Sequence, residues 1–367
     1  VTRLDQKEFF RNSLIVLAAC FLALGAAEII LRFYNPFGFR VKGHKIIIPA
    51  NERFDITNDR IPGLDKNIVH TKNSLGFRGD NPPKNFDDYI SIVAVGGSAT
   101  ECFYLSDNKT WPYLLGQKLA ATLPKVWVNN AGLAGHSTFG HNILMREYIL
   151  KLRPKVVLFL VGFNDIGFKH ESQPGKLVMT DSLIYKSELL SLIMNMSRYV
   201  RTIRMGLGHQ PVDLKALATI TIPPKMRERI LLGHQPALCS YERRLNNLVT
   251  LCRDNDIIPV LITQPALFGN VVDDVTGRDL ATIKLGNFHA HMGGHLSGSL
   301  KWEILELFND VTRKIGRQEG LLVIDLARAM PKSSRYYYDT IHVTNSGAEV
   351  AADIVCRHLA PFLAQLN

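Results

Sequence analysis

Tyr89-Ile90-Ser91-Ile92-Val93-Ala94-Val95-Gly96-Gly97-Ser98 is an apolar, β-branched run that stops at two glycines and a serine. Its length and composition read as a strand buried on both faces. Three other stretches repeat the pattern. Residues 126–128 lead into Asn130-Ala131-Gly132-Leu133-Ala134-Gly135, residues 156–161 into Gly162-Phe163-Asn164-Asp165, and residues 321–326 precede Asp339-Thr340-Ile341-His342. Between them, residues 111–123, 142–152, 241–255, 302–318 and 348–365 read as helices, and 257–262 supplies one more strand. This alternation predicts an α/β fold with about five parallel strands and helices on both faces.

Ligands of such a sheet bind outside the carboxyl ends of its strands, so polar motifs placed after successive strands converge. The converging groups are those of a serine esterase. Ser98 carries a hydroxyl that is a weak nucleophile until a base takes its proton, and His342 is the natural base. Asp339, three residues earlier on the same loop, is placed to hold the imidazole tautomer and stabilise the imidazolium. The backbone amides of Ser98 and Gly135 and the side-chain amide of Asn164 are candidate donors to the oxyanion, and loss of one such donor typically costs about 3 kcal/mol. Each motif alone has a plainer reading as a phosphate-binding turn, an ordinary turn, a helix cap or a solvated loop. No G-x-G-x-x-G and no Gly-Lys-Ser/Thr follows Gly96, and the four motifs stand in order at strand ends. The chemistry expected needs no metal and no cofactor.

These residues resemble the SGNH or GDSL-type hydrolases, whose four sequence blocks carry Ser, Gly, Asn and a closing DxxH in this order. The resemblance implies Ser98 as nucleophile, Gly135 and Asn164 as oxyanion donors, Asp339 as orienter and His342 as base. It also implies a three-layer αβα, flavodoxin-like fold. It covers roughly residues 89–367, interrupted by an insertion. One departure stands at the nucleophile, where the family's usual Gly-Asp-Ser is Gly96-Gly97-Ser98. Upstream, Asn73-Ser74-Leu75-Gly76-Phe77-Arg78-Gly79 and residues 28–32 look like the leader of membrane-anchored bacterial members.

The chain has 367 residues, 46% of them hydrophobic, enough for a substantial core and too apolar for global disorder. Lysine and arginine number 43 against 33 acidic residues, a balance of +10 that favours anionic membrane surfaces or acidic glycans. Without a basic block interleaved with aromatics, nucleic acid is not expected as a partner. The five cysteines form no CxxC pair or zinc-like spacing and read as core thiols, with Cys102 near enough to the nucleophile to line the site.

Residues 14–31 are almost uninterruptedly apolar, with Glu28 as their one charge, and nearly span a bilayer core. They predict a single-pass anchor at 12–34 after a cytoplasmic 1–11. Gly25-Ala26-Ala27 offers the alternative of a cleaved signal peptide, and Leu17-Ala18-Ala19-Cys20 matches a lipoprotein box whose preceding apolar run is too short. Basic residues flank the span on both sides and leave its orientation open. Because anchored relatives are usually extracytoplasmic, the expected location is the bacterial inner membrane with the catalytic domain outside. Residues 35–88, rich in Pro, Gly, Asn and Asp, read as a stalk or a lead-in wrapped on the core, with a strand-like piece at 45–48.

An insertion at about 168–236 carries Leu189, Leu190, Ile193, Met196, Tyr199, Val200 and Ile203 on one helical face, with Arg198, Arg201 and Arg204 adding charge. The face suits a membrane surface, a lid over an acyl site, or plain packing on the core. His289, His291 and His295 hint at zinc, but no carboxylate or cysteine joins them and Gly293-Gly294 favour a loop. The expected activity is removal of O-acetyl groups from an envelope or exported polysaccharide, with a lipid ester as the next substrate. An O-acyltransferase using the same residues is the mechanistic rival. A non-catalytic subunit that binds envelope-assembly proteins is the rival from another class.

Overall fold

The computed structural model describes residues 3–34, 41–42, 45–167, 187–190, 192–193, 196, 209–288 and 294–365. Tyr199, Val200, Ile203 and the three arginines of the insertion, with His289 and His291, lie outside the described residues. The chain divides into two compact units, Val1–Ile47 with Ser172–Gly208, and Ile48–Glu171 with His209–Asn367.

In the first unit, α1 (Arg3–Phe33) contains a 27-residue stretch, Lys7–Phe33, with a mean hydropathy of 2.6. Its apolar side chains, among them Leu14, Phe21, Leu22 and Ile30, are exposed along its length. This is an N-terminal apolar helix of the kind that crosses a membrane or forms a signal sequence. A lone carboxylate on such a helix is costly unless hydrogen-bonded. Glu28 accepts from Ser187 Oγ at 2.8 Å and from the amides of Glu188 at 2.9 Å and Leu189 at 3.1 Å, with Arg32 at 3.1 Å. The strand-like piece at 45–48 is shorter than expected, since Lys45–Ile46 pairs only with Val41–Lys42.

The second unit begins with a hairpin of β1 (Arg53–Thr57) and β2 (Asn67–Thr71). The chain then runs through β3 (Ile90–Gly96), α2 (Ser98–Glu101), α3 (Trp111–Ala120), β4 (Val126–Asn130), α4 (Thr138–Leu144) and β5 (Val156–Leu160). α5 (Pro224–Leu232), within the insertion, and α6 (Gln235–Arg253), which begins at its end, are followed by β6 (Ile258–Ile262), a small pair β7 (Lys284–Gly286) and β8 (His295–Ser297), α7 (Gly298–Gln318), β9 (Val323–Ile324) and α8 (Asn345–Ala364).

The main sheet is parallel throughout, in the order β9-β6-β5-β3-β4. With its strands counted in chain order this is the flavodoxin-like 2-1-3-4-5 arrangement. The crossover from β3 to β4 runs one way along the sheet and the later crossovers run the other. Right-handed connections therefore put α3 on one face and α4, α6 and α7 on the other, which makes the three-layer αβα architecture. Every residue of β3 and of β5 is buried, as strands covered on both faces must be. Register aligns the strand ends: Gly96 pairs with Leu160, Leu160 with Ile262, and Ile262 with Ile324. The direction of the chain reverses between β3 and β5, and the crevice there receives the loops that carry Ser98 and Asn164.

Two elements differ from their sequence reading. The last strand covers two residues rather than 321–326, because Asp325 turns its carboxylate to Thr263 and Arg313 and Leu326–Ala329 turns helical. The last helix starts earlier than residue 348, because the Thr344 hydroxyl accepts from Gly347 N at 3.1 Å and caps it.

Candidate active site

Ser98 stands at the first position of α2, directly after β3. Its Oγ lies 2.7 Å from His342 Nε2, and His342 Nδ1 lies 2.6 Å from Asp339 Oδ2. The turn that supplies both partners is self-contained. Asp339 Oδ1 accepts from the amides of Ile341 at 2.8 Å and His342 at 2.7 Å, and Tyr338 N donates to His342 O at 3.0 Å. The cap at Thr344 then launches α8 two residues beyond the imidazole. Burial works to raise the Asp339 carboxyl, but His342 and the two loop amides outweigh it and hold the carboxyl below its usual range. Asp339 is thus an anion hydrogen-bonded to the ring, the arrangement that would orient His342 as a base.

Asn164 sits in a single helical turn, Phe163–Asp165, after β5. Its Nδ2 donates to His136 O at 2.9 Å, which uses one of its two amide hydrogens and leaves the second for a ligand. Asn164 lines a cavity of about 10 Å³ together with Ser98, Gly97, His136, Phe163 and Ile341. Gly97, where the family's usual motif has Asp, is packed against Asn164. A Cβ on Gly97 would lie 2.4 Å from Asn164 Nδ2, so the amide occupies the space that a side chain would need. Asp165 fixes the same turn. It is fully buried, accepts from Thr138 N at 3.1 Å, from Thr138 Oγ1 and from Arg244 Nη2 at 2.9 Å, and so ties Asn164 to the start of α4. Burial raises its carboxyl despite Arg244.

Gly135, with φ +75°, lies on the loop after β4 and is not among the residues that line the cavity. Its neighbours are pinned. Ala134 N donates to Glu101 Oε2 at 2.8 Å, and His136 N to Leu133 O at 3.1 Å. Gly132 on this loop approaches α2 so closely that a Cβ would lie 2.2 Å from Glu101 N. Ser98, Asp339 and His342 therefore form one hydrogen-bonded chain, Asn164 faces the same cavity, and Gly135 stands beside it on an ordered loop. Cys102 ends α2 with its thiol buried and does not line the cavity, and burial pushes the thiol up to about 12. Of the histidine trio in the later loop, only His295 is described, and it belongs to β8.

Several site residues escape sequence reasoning. Arg78, from the Asn73–Gly79 motif, is buried and clamps the chain just after α2. It donates to the carbonyls of Glu101 at 2.7 Å, Cys102 at 2.6 Å and Leu105 at 2.7 Å, and to Asp107 at 2.7 Å. Glu101, fully buried, pairs with Lys72 at 3.6 Å. His141 is buried on the cavity wall, and its burial and the nearby His136 lower it to about 3. His209, from within the insertion, stacks on His342 with ring centroids 3.8 Å apart. The only sequence signals for these residues are isolated polar side chains in loop-like composition, which carry no period.

A model of the GDSL-like lipase/acylhydrolase family matches residues 94–350. The chain belongs to that family and is a carboxylic-ester hydrolase. No curated protein matches its sequence. Among solved structures, a putative lipolytic protein of the G-D-S-L family from Desulfitobacterium hafniense is 13% identical with a TM-score of 0.40, over 73% of this chain and 98% of that one. Axe2, an acetylxylan esterase from Geobacillus stearothermophilus, is 13% identical with a TM-score of 0.42, over 73% and 93%. The acetyl xylan esterase AlAXEase is 14% identical with a TM-score of 0.40, over 72% and 97%.

Proposed function

We propose that this hydrolase is a membrane-anchored, extracytoplasmic esterase that removes O-acetyl groups from an envelope or exported polysaccharide. The observation that carries the reading is the chain Ser98, His342, Asp339 beside a cavity of about 10 Å³, room for little more than one water-sized group. A cavity of this size beside the serine is consistent with a small acyl group. The excess of 43 basic over 33 acidic side chains suits an acidic glycan, and α1 supplies the tether.

In the first step Ser98 Oγ gives its proton to His342 Nε2 and bonds to the acyl carbon, and the carbonyl electrons move to oxygen. Asn164 Nδ2 and the Ser98 and Gly135 amides are the proposed donors to that oxyanion. The carbonyl re-forms, the ester C–O bond breaks, and the departing alkoxide takes the proton from Nε2. Water then adds to the acyl-enzyme, giving its proton to Nε2. Collapse returns that proton to Ser98 and releases the carboxylic acid. Asp339 stays an anion throughout and offsets the charge on the imidazolium.

A series of 4-nitrophenyl esters tests the substrate reading. We expect kcat/KM to fall at least tenfold from acetyl to octanoyl, and an enzyme that prefers octanoyl would contradict it. Deleting residues 1–34 tests the tether. The shortened chain is expected to stay soluble and active, while the full chain sediments with membranes. Protease reaching the catalytic unit from outside the inner membrane supports the location, and protection from it would place Ser98 in the cytoplasm.

A further inference from the structure

His209 lies outside the four sequence blocks, within the insertion, and nothing in the Ser98 relay requires it. Its ring nevertheless lies face to face with that of the base, with centroids 3.8 Å apart and planes 27° apart. Its Nδ1 is 2.6 Å from the Tyr338 hydroxyl, and Val212 N donates to Tyr338 O at 2.9 Å, so both ends of this short segment are fixed to the residue before Asp339. Tyr104 closes the other side at 5.1 Å between centroids. One polar atom each from His209, His342 and Asp339 lie within 4.8 Å of one another.

We infer that His209 is a positioning residue for the base: its ring, held by Tyr338, fixes the plane of His342 and stabilises the imidazolium formed when Ser98 gives up its proton. The inference rests on His342 acting as the base for Ser98. The physical ground is the attraction between a cation and the face of an aromatic ring, which strengthens when both are out of water. It works only if His209 is itself neutral. Burial, followed by the charge of His342, lowers His209 to about 3 although Asp339 pulls the other way, so at neutral pH the stack holds one cation at most. Among the described residues the titratable groups around the pair are Asp339, Tyr338, Tyr104 and Cys102, with the Lys301 ammonium acting on Asp339. Burial raises Tyr338 and Cys102, which therefore keep their protons, and among the described residues Asp339 is the anion in direct contact with the pair.

The test separates the ring from the hydrogen bond. His209→Asn keeps a polar atom for Tyr338 and removes the aromatic face, whereas His209→Phe keeps the face and removes the polar atom. With 4-nitrophenyl acetate, His209→Asn is expected to lower kcat by roughly five- to thirtyfold with KM within about twofold, and to move the acid limb of kcat/KM to lower pH. His209→Phe is expected to restore kcat to within about threefold of the parent and to return the acid limb to its place. Equal activity and equal pH profiles in the parent and His209→Asn would overturn the inference. So would a Phe variant as impaired as the Asn variant while thermal unfolding shows both folded. Ser98→Ala, assayed alongside, distinguishes the two levels: if it stays active the relay itself is wrong, and if it is dead while the His209 variants match the parent, only the role of His209 falls.

Discussion

The Asp339–His342 turn and the Asn73–Gly79 segment are both short, polar and rich in loop-forming residues, yet they are built in opposite ways. The first satisfies itself: Asp339 binds two amides of its own turn and the imidazole three residues on. The second reaches across the chain. Arg78 grips residues 23 to 29 positions later, and Asn73 Nδ2 donates to Asn129 Oδ1 at 2.9 Å, 56 positions away. A self-contained turn can be read from four residues, whereas a long-range clamp shows its purpose only once the fold has brought its targets near. The difference also divides labour, since the turn supplies the proposed base and the clamp holds the backbone that follows Ser98, the proposed nucleophile.

The largest effect belongs to the turn. His342→Ala is expected to lower kcat by about 10⁴-fold or more, and adding Ser98→Ala to cost little further, because groups of one relay are not additive. Independent, multiplying losses in steady-state assays would break the picture of a single chain of proton transfer. Next comes the contact between the nucleophile loop and Asn164. Gly97→Ala is expected to displace the Asn164 amide and lower kcat about 10²-fold, as losing an oxyanion donor does, with thermal stability changing much less. Full activity in that variant would remove Asn164 from the site.

The clamp is expected to act through stability as well as rate. Arg78→Met removes the guanidinium from Asp107 and from three buried carbonyls and should cost about 3 kcal/mol in urea unfolding, with activity falling alongside. Arg78→Lys keeps the charge without the planar fork and should recover only part of that. A fully stable and active Arg78→Met would mean that the segment is an ornament on the core.

A further effect is on acid stability. His141 and His209 are both lowered to about 3 in the fold from an ordinary value of 6.5. Between those values the unfolded chain binds more protons than the folded one, so stability should rise with pH across that window and be fully present above about 6.5. The urea midpoint should therefore fall steadily from pH 7 to pH 4.5. An unchanged midpoint would show that these histidines are solvated rather than buried.

The strands and the ends that carry Ser98 and Asn164 were legible because uniform burial leaves a plain apolar run and a polar break after it, whereas His342 was legible from its Asp339-Thr340-Ile341-His342 motif and stands well past the last strand. Helix starts were less so: the caps at Thr344 and Ser297 lie outside the apolar period and extend α8 and α7 toward the N-terminus. Arg78, Glu101 and His209 were not legible as site residues. Their partners are set by the crossovers of the sheet and by the return of the insertion, which no local pattern encodes. Gly97 lies between these cases, since its departure from the family motif was visible but its packing against the Asn164 amide was not.

The most direct test of the account is stoichiometric labelling with a fluorophosphonate, followed by mass mapping of the modified peptide and an acetyl-ester assay on the same sample. We predict one label per chain on Ser98, loss of esterase activity in proportion to labelling, and no label on Ser98→Ala or His342→Ala under the same conditions. A label on another residue, or esterase activity that survives complete modification of Ser98, would contradict it.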